Sequence, residues 1–378
     1  MRKFIISIIR SFTNLISYII PVNDRLVMFV SYPDFADNSY AVFRHLLVEN
    51  NRKDLSYCWL VDDQRVRPVI YNQLDEWKCN DVNIRVIPRK SITALWLVYR
   101  SRYIFNTVGL FIHVVFHQKD KRINMWHGMP LKKIYSSYPN GNITIATSEM
   151  FAKYMAQGLM IDIQNVLVIG QPRNDLLYKP FLISPYLQSL IHGFDRIGIW
   201  MPTFRRSYLD KSYSDGSYEE GNIAFISFNE LQIVNDFLVK HNTLLIIKLH
   251  PLDILQQCSI PKQSNILLLK NDNFDQKELY PLLATCDFLI SDYSSVLVDY
   301  EILKRPIGVT IGDQEQYKNS RGLFIDDFPG IRISDIDDFL SFIAACVRNQ
   351  VSLQNCGNLY NLYRDDKASE RLLSYLNL

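Results

Sequence analysis

The sequence predicts an α/β protein of two doubly wound domains in series, each a parallel sheet with helices on both faces. Three observations carry this. Short β-branched and aromatic runs alternate with longer helical patterns along most of the chain. The alternation falls into two series, separated by the stretch from Tyr178 to Phe194 with its Pro180, Pro185 and Gly193. The 378 residues, 48% hydrophobic, suffice for two cores of ordinary size.

Residues 1–22 form an amphipathic helix in this reading. Phe4, Ile5, Ile8, Ile9, Phe12, Leu15, Ile16, Ile19 and Ile20 share one arc of roughly 160°. Ser7, Arg10, Ser11, Asn14 and Ser17 oppose them, and Ile6 strays to the polar edge. Arg10 and Asn14 interrupt the apolar run and no small-residue cleavage site follows, which argues against a signal peptide. The segment is too polar on one side to span a bilayer, so it lies either in a membrane interface or against its own domain.

The first domain, residues 23–190, takes strands at Leu26 to Val30, Tyr57 to Val61, Ile84 to Ile87, Tyr103 to Phe105, Ile123 to Trp126 and Ile143 to Ala146. Helices at Tyr40 to Val48 and Ser91 to Tyr99 intervene. The second domain, residues 191–378, continues with Ile197 to Trp200, Leu244 to Lys248, Ile266 to Leu269, Phe288 to Ile290 and Ile307 to Ile311. Its terminal helix has the option of packing back on the first domain. Two such domains imply a cleft, with ligands outside the carboxyl ends of the strands. The loop Ser207 to Gly221, polar and rich in Tyr and Ser, reads as a surface excursion or a flap.

Composition narrows the function. With 41 basic against 39 acidic residues the net charge is +2, too balanced for a generic nucleic-acid binder, so an anionic ligand must be met locally. The six cysteines are scattered without a C-x-x-C pair and read as reduced; no Cys/His cluster at ligand spacing suggests zinc. The sequence has no P-loop, no G-x-G-x-x-G fingerprint and no G-x-S-x-G elbow.

Five segments at strand ends instead share groups suited to phosphate. Trp126-His127-Gly128-Met129-Pro130-Leu131-Lys132-Lys133 puts a proton acceptor beside cations. In Gly170-Gln171-Pro172-Arg173-Asn174-Asp175 the guanidinium either holds an anion or pairs with Asp175. Pro202-Thr203-Phe204-Arg205 follows the first strand of the second domain, where Arg205 would project into the cleft as a bidentate phosphate ligand. Strand alternation puts Lys248 and His250 on one side, with Pro251 marking the strand's end; a buried core role is the other reading of His250. Asp292-Tyr293-Ser294-Ser295 leads into a helix whose free amides, positive dipole end and hydroxyls suit a diphosphate. Simple N-capping competes at Ser294, and a cap or turn role at Asp292. Asp299, one turn later, is placed to accept from ribose hydroxyls. Together these describe a nucleotide-diphosphate transferase with its base on the first domain and a phosphate cradle on the second.

In this order and spacing the segments resemble the CDP-glycerol glycerophosphotransferase family, which primes and polymerises teichoic acids and related polymers. Asp37-Asn38 near the start and Asp366-Lys367-Ala368-Ser369-Glu370-Arg371 near the end also fit, and the likeness runs from about residue 25 onward. Met129 departs from the pattern, a small residue such as Thr being common there. The resemblance implies a GT-B fold, two facing Rossmann-like domains with CDP-glycerol held mainly by the second. It implies His127 as the base that deprotonates an acceptor hydroxyl, with attack on the β-phosphorus and release of CMP. Arg205, His250, Ser294 and Ser295 would stabilise the phosphates, supported by Thr203, Lys248 and Asp292, and Asp299 would meet the ribose. Lys132, Lys133, Arg173 and Asn174 would support the site or the acceptor. No obligatory cofactor or metal is expected. The expected partners are a CDP-polyol, a lipid-linked saccharide or surface-polymer acceptor and the cytoplasmic membrane face, with no nucleic acid. The short core looks more like a primase than a long polymerase. Alternatives are a CDP-ribitol donor, a sugar-nucleotide GT-B glycosyltransferase or epimerase, and a non-catalytic scaffold of polymer assembly.

Overall fold

In the computed structural model the first parallel sheet has seven strands in the order β3-β2-β1-β4-β5-β6-β7. They are β1 (Asn23–Val30), β2 (Ser56–Val61), β3 (Asn83–Pro88), β4 (Ser101–Asn106), β5 (Lys121–Asn124), β6 (Ile143–Ala146) and β7 (Val166–Val168). The structure describes residues 2–111, 113–117, 119–134, 141–208, 219–312, 314–315, 322–325 and 328–378, with side chains from Ile6 onward. The central strands are near-continuous apolar runs because helices cover both faces. Leu26 to Val30 and Tyr57 to Val61 are buried throughout. Phe29 stacks between Trp59 and Phe105, at 5.2 and 5.3 Å, on one of those faces.

The second sheet has the order β12-β11-β8-β13-β14-β15. Its strands are β8 (Arg196–Met201), β11 (Thr243–Lys248), β12 (Ile266–Leu269), β13 (Phe288–Ser291), β14 (Ile307–Thr310) and β15 (Ile331–Ile333). A two-stranded ribbon, β9 (Asn222–Ile223) with β10 (Ile226–Ser227), stands apart from it. Gly198 of β8 pairs with Phe288 of β13, and a Cβ there would lie 2.1 Å from the Phe288 ring, so glycine is required by close approach. Numbered from the first strand of each sheet, the second order reads 3-2-1-4-5-6 and the first 3-2-1-4-5-6-7, the doubly wound arrangement with one strand more. Each therefore has a switch point, β1/β4 in one and β8/β13 in the other.

The chain divides into two compact units. One comprises residues 1–127, 135–175 and 366–378; the other comprises residues 128–134 and 176–365. The sequence places the boundary at residues 190/191, the division into units at 175/176. Residues 176–190 join the second unit because Ser184 donates through its backbone N and Oγ to Glu278 Oε2, both at 3.1 Å. Gly128–Ile134 joins it through Lys133 N to Gly322 O at 3.1 Å and Phe324 N to Leu131 O at 2.9 Å. The C-terminal helix Ala368–Leu376 belongs to the first unit, where Tyr103 Oη and Lys121 Nζ donate to Leu376 O.

Helix α1 (Arg2–Ile19) turns Thr13 and Ser17 inward. Thr13 Oγ1 accepts from Val115 N at 3.1 Å, and Tyr99 Oη donates to Thr13 O at 3.4 Å. Ser17, expected on the solvent face, is thus on the docked edge. The apolar arc is outward instead: Ile8, Phe12, Leu15 and Ile19 are 53, 62, 59 and 69% exposed. Among the described residues no helix is long and apolar enough to cross a membrane.

Candidate active site

In the first unit the chain leaves β5 at Asn124 and turns sharply. Trp126, expected within the strand, has φ +55°, and Asn124 Oδ1 accepts its N–H at 3.1 Å. The next residue, His127, is exposed and stacks its ring on Trp126, centroids 4.5 Å apart. Helix α2 (Asp37–Arg44) begins against this turn. Asn38, fully buried, donates through Nδ2 to Trp126 O at 3.1 Å and accepts Arg173 N at Oδ1, 3.0 Å. Arg173 Nη1 pairs with Asp37 Oδ1 at 2.9 Å. Arg173, for which the sequence left an anion site and a pairing with Asp175 open, is 5% exposed and pairs with Asp37. Asn174 is buried beside it, and among the described residues neither end of its amide has a hydrogen-bond partner.

Asp175 has a different task. Its two oxygens accept Ala368 N and Ser369 N, both at 2.8 Å, at the start of the C-terminal helix. Arg371 Nε reaches Ile169 O at 2.9 Å. Gly170, at φ +88°, brings the turn within contact of Ala368. The closing signature is therefore a latch on the 170–175 turn.

In the second unit the described groups gather at the β8/β13 switch point. Asp292, at the end of β13 and 0% exposed, accepts Thr203 N at 2.9 Å and Thr203 Oγ1 at 2.8 Å, and pairs with Arg205 Nη2 at 3.0 Å. Arg205 also donates to Thr203 Oγ1 and lies over the Tyr293 ring at 5.8 Å. Two expectations change here. Arg205 is 8% exposed and held by a carboxylate in place of projecting freely, because a guanidinium drawn this far from water needs a counter-charge. Asp292, 0% exposed, holds Thr203 and Arg205 in place.

His250 lies past the end of β11, its ring 4.7 Å from Phe204. Nδ1 accepts Leu252 N at 3.1 Å, which puts the proton of the neutral ring on Nε2. Strand alternation does not reach it, since β11 ends at Lys248. Lys248 is buried, its Nζ donating to Leu249 O at 3.2 Å and sitting 5.7 Å from the Phe274 ring; burial lowers its pKa to about 8. Those partners lie outside the Thr203–Arg205–Asp292 cluster. Ser294 and Ser295 are half-buried at the start of the helix Val296–Glu301, which has only 6 residues. Ser295 makes no side-chain cap, and Ser294 Oγ accepts Val296 N at 3.4 Å. Asp299 is fully buried and accepts Tyr280 Oη at 2.8 Å, so the carboxylate expected to meet a ribose faces the interior. Met129, the departure from the family pattern, is likewise fully buried.

Lys132 and Lys133 lie on the strip paired with residues 322–324, so the two lysines cluster with the second unit while His127 closes a segment of the first. Ten residues of the expected flap, 209–218, lie outside the described residues. A group the sequence reading missed is Asp253. Burial pushes its pKa up to about 6, the Arg205 charge opposing that shift and Asp292 adding to it. Its only sequence signal is its place three residues after His250. A separate cavity of about 680 Å³ opens at the amino-terminal ends of β14 and β15, on the edge of the sheet away from these groups. Two of its cations are already engaged, Arg305 with Ala284 O and Cys286 O, and Arg364 with Glu301.

Buried carboxylates shape the pH response. Burial raises Asp120, Asp175 and Asp253 to about 6, against about 3.9 in an unfolded chain. Between these values the native state binds more protons, so stability is highest below pH 4 for these groups and falls as pH rises through 6. His117, lowered by burial, opposes this over part of the window but is only half-buried. Urea midpoints should therefore be higher at pH 5 than at pH 7, and equal midpoints would contradict the assignment.

Two parallel sheets in doubly wound order, with hydroxyl, guanidinium and imidazole groups at strand ends of the second, give the chain a GT-B-type fold. The chain belongs to the CDP-Glycerol:Poly(glycerophosphate) glycerophosphotransferase family, whose sequence model matches residues 12–378. The chain is 24% identical over 336 residues to the teichoic acid poly(glycerol phosphate) polymerase of Bacillus spizizenii, covering 82% of this chain and 79% of that one. It is 29% identical over 251 residues to the teichoic acid glycerol-phosphate primase of the same organism, covering 65% and 60%. The structure of the wall teichoic acid polymerase TagF superposes with a TM-score of 0.73 at 18% identity, covering 94% of this chain and 89% of that one. A UDP-GlcNAc 2-epimerase from Neisseria meningitidis shares the fold at a TM-score of 0.54 and 12% identity, covering 93% and 99%.

Proposed function

We propose that the protein transfers glycerol phosphate from CDP-glycerol to a hydroxyl of a teichoic-acid-type polymer or its lipid-linked precursor, releasing CMP. The observation that carries this is the Thr203–Arg205–Asp292 cluster at the β8/β13 switch point, where doubly wound sheets bind nucleotides, in a chain of this family. His127 takes the proton of the acceptor hydroxyl. The acceptor oxygen then bonds to the β-phosphorus as the bond from that phosphorus to the bridging oxygen breaks, and CMP leaves with the bridging oxygen. Arg205, the Nε2–H of His250 and the hydroxyls of Ser294 and Ser295 balance charge on the phosphates.

The test is CMP release by purified protein with a lipid-linked saccharide acceptor, offered CDP-glycerol, CDP-ribitol and a UDP-sugar in parallel arms, each with and without EDTA. Acceptor-dependent release from CDP-glycerol, retained in EDTA, is the expected result. Release from CDP-ribitol alone would move the donor to the other polyol, release from the UDP-sugar alone would overturn the class, and full loss in EDTA would overturn metal independence.

The outward apolar arc of α1 fits peripheral attachment to the cytoplasmic membrane face, with Phe12 and Leu15 entering the interface. Deleting residues 1–22, or replacing Phe12 and Leu15 by serine, should move the protein from the membrane to the soluble fraction. Unchanged membrane recovery would oppose this attachment.

A further inference from the structure

We infer that Asn38 is a positioning residue for His127, an inference that rests on the reading of His127 as the base. Two left-handed residues meet here, Trp126 at φ +55° and Asp37 at φ +59°. Non-glycine residues hold that conformation only where their surroundings over-determine it. Asn38 supplies much of that constraint. Its Nδ2 donates to Trp126 O at 3.1 Å and Met125 O at 3.4 Å, while its Oδ1 accepts Arg173 N at 3.0 Å. The Trp126 carbonyl and the His127 N–H belong to one peptide plane, so a donor fixed on that oxygen sets the direction in which His127 leaves the turn.

The surroundings make the amide specific. Asn38 is fully buried, and Asp37 Oδ1 accepts both the Asn38 N–H at 2.8 Å and Arg173 Nη1 at 2.9 Å. Asparagine presents a donor and an acceptor at two ends of one planar group. Ionised aspartate would keep the acceptor for Arg173 N–H and lose the donor to Trp126 O. The residue then acts on the reaction only through where it holds the imidazole, with no contact to substrate of its own.

The experiment is a double-mutant cycle of Asn38→Asp with His127→Ala, reading kcat and KM for CDP-glycerol, with the thermal midpoint and the histidine ring resonances followed by NMR. Misplacing a reacting group by about 1 Å costs roughly 10²-fold in rate. Asn38→Asp is therefore expected to lower kcat by about 10-fold to 100-fold, with KM within about twofold, and to shift the His127 ring resonances. In the His127→Ala background it should cost nothing further. The same fold-loss in both backgrounds, or unchanged kcat with unchanged ring resonances, would overturn the inference. Should Asn38→Asp fail to fold, Asp37→Asn weakens the Arg173 anchor while leaving the Asn38 amide, and a smaller kcat loss confined to the His127 background is expected; no loss counts against the inference. If His127→Ala itself retains wild-type turnover, the functional reading fails separately. The position of Asn38 is then judged on the ring resonances, and an unshifted His127 ring overturns it.

Discussion

Alanine at His127 is expected to lower acceptor-dependent CMP release by about 10²-fold to 10⁴-fold, the range over which a positioned acid or base contributes. The side chain is exposed and stacks on Trp126 at one face, so its removal should leave the fold's stability within about 0.5 kcal/mol. KM for CDP-glycerol should change little, because the groups assigned to the donor come from β8, β11 and β13 and not from the β5 turn. That split distinguishes a base from a donor ligand: a raised KM with kept kcat would transfer His127 to binding, and retention of a tenth or more of the activity would remove it from the chemistry. Alanine at His250 should differ in its balance, as expected for a hydrogen bond to the donor phosphates, with CDP-glycerol binding weakened as well as turnover.

How much of this was legible depended on the physical scale of each feature. Parallel strands buried on both faces write themselves as apolar runs, and so β2, β11 and β13 stand in the sequence within one residue of their observed bounds, while β1 starts three residues earlier, at the polar Asn23-Asp24-Arg25. Strand β7 is apolar but only 3 residues long and partly exposed, too short to stand out as a strand, and the edge strand β15 has Ile331 and Arg332 exposed. β5 ends two residues before the expected strand does, because the Asn124 side chain takes the Trp126 N–H and the chain enters a left-handed turn. The chemistry-bearing residues were visible as residue types after strands, while their pairings were not. Arg173 meets Asp37, Asp175 meets the C-terminal helix, and Arg205 meets Asp292, each joining segments far apart in the chain. Which cation faces a ligand and which is neutralised inside is decided by these tertiary contacts, and local spacing contains no record of them.

The Asp292 pair carries the largest expected effect on stability. Removing one partner of a buried ion pair leaves the other charge uncompensated, at a cost of about 3–5 kcal/mol. Asp292→Ala strips the carboxylate from Arg205 and an acceptor from both Thr203 N and Thr203 Oγ1, all of them buried. Asp292→Asn keeps the shape and one acceptor, so a smaller loss is expected. The revealing variant is Asp292→Ala combined with Arg205→Met. With the guanidinium gone, the uncompensated charge goes with it, and part of the stability lost in the single variant should return. Donor binding should not return, since Arg205 is the group assigned to the diphosphate. Urea unfolding at pH 7 beside KM for CDP-glycerol reads both quantities. A loss under about 1 kcal/mol in Asp292→Ala would show that the pair is not what fixes the switch point. Recovery of stability and of donor binding together would take Arg205 out of the diphosphate site. The expected divergence, a fold partly rescued around a site that no longer holds its donor, follows from one carboxylate that compensates a buried cation and also aims it.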